Sequence, residues 1–81
     1  MDKKNLTVRI RDLGLAASLV SCGFEITQTC WDKSGRAYFV FIQSEELDHA
    51  IKRYCSDTLN VNARRLIENL KMLKSMIYAE R

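Results

Sequence analysis

Arg36-Ala37-Tyr38-Phe39-Val40-Phe41-Ile42-Gln43 is the stretch on which the fold turns. Successive side chains of a strand point to opposite faces, so Ala37, Phe39 and Phe41 share one face and Tyr38, Val40 and Ile42 the other. Both sets are apolar, as expected of a central strand with a neighbour on each side. Upstream, Phe24 to Trp31 forms a second strand. The two are joined by Asp32-Lys33-Ser34-Gly35, a polar, glycine-bearing connection of the hairpin kind.

Working outward, Leu6, Val8 and Ile10 alternate with Asn5, Thr7 and Arg9. This period of two predicts a first strand with one buried face, which, being first in the chain, lies at an edge or slips in beside a longer strand. Between it and the hairpin lies a helix from Asp12 to Cys22, opened by the carboxylate of Asp12 and closed by Gly23 at the left-handed C′ position. Its apolar residues, from Leu13 to Val20, fall on nearly every side, diluted only by Gly14, Ser18 and Ser21. A helix apolar all round is a buried one, and its small residues allow close approach.

After the hairpin, Ser44 caps a second helix with the stripe Leu47, Ala50, Ile51, Tyr54 and Cys55. Glu45, Glu46 and Asp48 at its start and Lys52 and Arg53 near its end match the helix dipole. Ser56 to Val61 is a connector. Asn62 caps a last helix running to about Tyr78, with Ala63, Leu66, Leu70, Leu73 and Ile77 as its core stripe.

The order is therefore β-α-β-β-α-α, a single α+β domain over residues 1–81. A right-handed crossover through the first helix sets the second strand parallel to the first. The third strand then inserts between them, giving a three-stranded mixed sheet in the order 1-3-2 with helices mainly on one face.

Composition narrows the function. The hydrophobic fraction of 47% and charged fraction of 28% are those of a globular domain, not a disordered chain. A net charge of +3 permits an anionic partner and disfavours a DNA mimic, which needs a strongly acidic surface. Cys22, Cys30 and Cys55 are odd in number, lack C-x-x-C spacing and sit beside apolar neighbours. They read as buried free thiols, which implies a reducing compartment and a cytoplasmic location. The start, MDKKNLTVRIRD, has no signal-peptide core, and no apolar run reaches the roughly 20 residues of a membrane span.

Three stretches, RDLGLAASLVSCGFEI, AYFVFIQSEELDHAIKRY and VNARRLIENLKMLKSMIY, together resemble a family of short phage and bacterial proteins known only as a domain of unknown function. Its pattern is a D-L-(small)-L-A helix ending in glycine, a V-F-x-F strand running into S-E-E-L, and a closing helix with a basic L-K-x-x-(I/L)-Y end. The resemblance spans Thr7 to Tyr78. The chain departs from it in having Ile10 and Arg11 where small hydroxyl residues often precede the aspartate. The resemblance implies a compact domain of phage or bacterial origin, in the host cytoplasm if phage-encoded, and it implies no activity.

The residues offer little to catalysis. His49 is the only histidine. With Glu46 it makes one E-x-x-H, where a di-metal site needs two plus further carboxylates. Cys55 or Cys22 would need hydrogen-bond reach of His49 to act as a nucleophile, and Cys55 falls on the buried stripe. No phosphate-binding loop is present. The expectation is a non-enzyme without metal, cofactor, small-molecule substrate or membrane association.

The last helix carries two candidate surfaces. Met72 and Met76 lie four apart, about 100° to one side of the core stripe, with Ile67 and Tyr78 to the other. Either a small core wraps this helix on two sides, or the extra apolar arc is an interface. The first hypothesis is thus a protein-interaction module, a homodimer or an inhibitor or adaptor of a host protein, centred on Met72, Met76, Tyr78 and Trp31. The alternative is a nucleic-acid-binding protein using Arg64, Arg65, Lys71 and Lys74 with Lys33 and Arg36 of the hairpin, helped by Lys3, Lys4 and Arg81. There Trp31 would be a stacking group, and Glu68 and Glu80 would interrupt the basic face.

Overall fold

The structure, a computed structural model, describes residues 6–79. The basic residues Lys3, Lys4 and Arg81, the acidic Glu80, and Asn5 of the first strand lie outside the described residues. Six elements follow the expected order: β1 (Thr7–Ile10), α1 (Leu13–Ser21), β2 (Ile26–Trp31), β3 (Ala37–Ile42), α2 (Glu45–Cys55) and α3 (Ala63–Ala79).

The sheet order is β1-β3-β2, with the doubly apolar β3 in the centre. Thr7 to Ile10 pair with Ile42 to Phe39, and Ile26 to Trp31 pair with Phe41 to Ala37. Both pairings are antiparallel, so the sheet is antiparallel, not mixed as expected. The physical reason is simple: β1 and β2 do run the same way, but β3 separates them, and no parallel ladder forms. A bulge between Ile26 and Gln28 interrupts the β2 ladder, and Thr27 Oγ1 donates there to the carbonyl of Val40.

All three helices contribute to one core against the Phe39–Phe41 face. Phe39 and Phe41 are 1% exposed, and Leu19, Leu47 and Leu73 are fully buried. Extents of 35 × 34 × 18 Å fit one sheet and one helix layer. The expected caps are present: Asp12 Oδ1 accepts from Leu15 N at 3.0 Å, Ser44 Oγ from Leu47 N at 3.0 Å, and Asn62 Oδ1 from Arg65 N at 3.0 Å. Gly23, at φ +103°, turns the chain out of α1. Leu15 to Leu19 are all buried, including Ser18, as the all-round apolar pattern required.

The thiols differ from expectation. Cys22 and Cys55 are exposed, and Cys30 is half-buried. Cys22 is the C-cap of α1 and Cys55 the last residue of α2. A stripe continues on a helical net, but the core beneath it stops. Leu47 and Ala50 are buried, Ile51 and Tyr54 half-buried, and Cys55 lies beyond. Leu6 likewise overhangs the sheet end and is exposed.

Candidate functional site

The position of α3 is set by two contacts. Leu73 is buried among residues of α1 and the sheet, with Leu66, Leu70, Met76 and Ile77 packed around it. Asn69 Nδ2 donates to Ser21 Oγ at 2.9 Å, and Ser21 Oγ donates to the carbonyl of Ala17 at 2.8 Å. This chain of bonds fixes α3 on the C-terminal end of α1. The side of α3 that carries Met72 and Met76 then faces the α1–β2 junction.

There the two methionines form one wall of a shallow groove of about 420 Å³, with Val20, Phe24, Glu25 and Ile26 opposite. Met72 is 43% exposed, while Met76 is half-buried and also packs against the core. Met76 is thus shared with the core, and Met72 is open to solvent. A second hollow continues the groove past Val20 and Gly23, between Cys22 of α1 and Arg65, Glu68 and Asn69 of α3.

The other candidates lie elsewhere. Tyr78 is exposed but stands about 120° and 160° around the helix from Met72 and Met76. It shares the opposite flank with exposed Ile67, Lys71 and Lys74. Trp31 pairs with Ala37 and so sits on the helix side of the sheet, half-buried. Its Nε1 is enclosed without a hydrogen-bond partner among the described residues.

The basic residues of α3 are not gathered on one side. Arg64 pairs with Glu68 at 3.6 Å, and Arg65 turns about 100° away from it, into the second hollow. Lys33 and Arg36 belong to the hairpin turn. There Asp32 Oδ1 accepts from Ser34 N, Ser34 Oγ and Arg36 N at 2.9, 2.7 and 3.0 Å, and Arg11 pairs with Oδ2. The bond from the Ser34 hydroxyl, then those from the Arg36 amide and Arg11, hold the Asp32 carboxyl far below its ordinary value of 3.8.

His49 and Cys55 are both exposed on α2, six residues apart and so about 120° around its axis. Among the described residues no three His, Cys, Asp or Glu side chains come together as metal ligands. No helix among them is long and apolar enough to cross a membrane.

Sequence reasoning missed the far wall of the groove and one surface cluster. Phe24 and Ile26 read only as strand residues, whereas the chain leaving Gly23 brings them under α3. On the open side of the sheet the guanidinium carbons of Arg9 and Arg11 lie 5.2 and 5.3 Å from the centroid of Tyr38. The signal was there in the alternation of Arg9 and Arg11 beside a strand whose second face begins with Tyr38.

The family model described as "Domain of unknown function (DUF5659)" matches residues 5–79. The chain belongs to this family. No curated protein and no solved structure matches it. The match runs across every element of this DUF5659 domain, from β1 to the end of α3.

Proposed function

We propose that the chain is a non-enzymatic protein-interaction module that pairs with a second copy of itself through the groove between α3 and the α1–β2 junction. The observation that carries this reading is the exposed Met72 beside half-buried Met76, facing Val20, Phe24 and Ile26 across an open apolar groove. Methionine is unbranched and polarizable and suits surfaces that must adapt to a partner. An exposed apolar patch rimmed by polar groups is the usual mark of such a surface.

The rim argues for a second copy. Glu25 lines the groove, and Arg65 and Glu68 line the hollow that continues it. A two-fold contact sets a patch against itself, so it needs both signs of charge within the patch. A rim of one sign would repel its own copy.

Phage or bacterial origin and a cytoplasmic setting belong to the same proposal. They rest on the family resemblance and on three thiols that a reducing compartment would keep free. Sedimentation equilibrium of the wild type and of Met72→Glu tests the pairing. The expected result is a reversible wild-type dimer and a monomeric, folded variant. A wild-type monomer at every concentration would remove the proposal.

A further inference from the structure

The second surface lies on the opposite layer of the molecule. Strand alternation and register place Thr7 and Arg9 of β1, Gln28 and Cys30 of β2, and Tyr38, Val40 and Ile42 of β3 on the side away from the helices. No element among the described residues covers this side. Ile42 is 44% exposed there. One pair beyond Trp31 and Ala37, Asp32 N donates to the carbonyl of Arg36, which continues the ladder and puts Arg36 on the same side as Tyr38. Arg11 joins them through its ion pair with Asp32 and its place over the Tyr38 ring.

The charge of this face is one-sided. Among the described residues it holds Arg9, Arg11 and Arg36, with Lys33 in the adjoining turn, against Asp32, while Glu25 shares a hollow with Ile42 at the far end of β3. The remainder of the chain carries nine basic and nine acidic residues. Arg9, Arg11, Arg36, Lys33 and Asp32 together carry a net charge of +3, equal to that of the full sequence. The acid is committed to holding the turn, through its bonds to Ser34, Arg36 and Arg11.

We propose that this bare sheet face is a binding site for single-stranded nucleic acid. The arginines and Lys33 meet phosphates. The Tyr38 ring with the Arg9 and Arg11 guanidinium groups over it, and the exposed Ile42 on the same face, offer surfaces for unpaired bases. A flat sheet suits a splayed single strand, whereas a duplex hides its bases in the stack. The site is separate from the methionine groove and does not depend on it.

The test is fluorescence anisotropy of a labelled oligothymidylate about 12 nucleotides long, titrated with the full chain in about 20 to 200 mM salt. Binding is expected to weaken with salt, with a log–log slope of about −2 to −3 for three or four phosphate contacts. Arg9→Glu/Arg36→Glu is expected to weaken it about tenfold or more, while Lys71→Glu/Lys74→Glu on α3 leaves it nearly unchanged. Circular dichroism melts serve as the control that both variants fold. Absence of binding at low salt overturns the proposal. So does loss of binding in the α3 variant but not in the face variant, or equal competition by poly-glutamate or by anionic lipid vesicles.

Discussion

The phenolic oxygen of Tyr54 lies 3.0 Å from the point that a β-carbon on Gly14 would occupy, and Asp12 Oδ1 lies 3.3 Å from it. Glycine at the second position of α1 is therefore what lets the C-terminal turn of α2 close on the start of α1. In an exposed helix, Gly→Ala would add up to about 1 kcal/mol of stability. Here the methyl group meets the far end of a packed ring, and overpacking costs about 1–3 kcal/mol. Gly14→Ala is expected to lower stability by about 1–2 kcal/mol in urea unfolding. Adding Tyr54→Leu should recover part of that loss; if it recovers none, the contact is not the cause.

The same contact sets an alkaline limit. Burial, then the nearby Asp12 carboxylate, raise the Tyr54 phenol above its ordinary value of 10.0. The unfolded chain releases this proton first as pH rises. Stability is thus intact below about pH 10 and declines as pH climbs through the folded value. Tyr54→Phe should show a smaller loss than the wild type in melts above pH 10 and the same pH dependence below it.

Asp32 sets the opposite limit. Its carboxyl is held down by the Ser34 hydroxyl, the Arg36 amide and Arg11. Its contribution is present above about pH 4 and lost as pH falls through the lower folded value. Asp32→Asn should melt below the wild type at neutral pH, with the difference shrinking in acid. A constant difference would show that the hairpin does not depend on that charge.

Asp57, just beyond α2, holds φ at +63°, while Asp57 N and Thr58 N donate to the carbonyls of Tyr54 and Arg53. This is a left-handed helix end, which glycine adopts without a Cβ clash. Asp57→Gly is expected to raise stability by up to about 1 kcal/mol, read as a higher urea midpoint at unchanged slope.

Most of the architecture was legible because single residues carry it. The two apolar faces of Tyr38 to Ile42 placed β3 in the centre, and Asp12, Ser44 and Asn62 marked the helix starts. Periodicity also set Met72 and Met76 apart from the core stripe. It could not say where the core ends, so Cys55 read as buried although it overhangs the last turn of α2. Nor does alternation within one strand show its neighbours. Arg9, Arg36 and Tyr38 meet only once β1, β3 and the hairpin are laid side by side. The groove needed Gly23 to fold Phe24 and Ile26 beneath a helix that begins almost 40 residues later.

The pairing through Met72 is tested most directly by isotope-filtered nuclear Overhauser spectroscopy on a mixed sample. Half the protomers would carry ¹³C-labelled methionine methyl groups and half would be unlabelled. The account predicts intermolecular cross-peaks from the Met72 and Met76 methyls of one protomer to Phe24 and Ile26 of its partner. A dimer whose methionine methyls show only intramolecular peaks would contradict it.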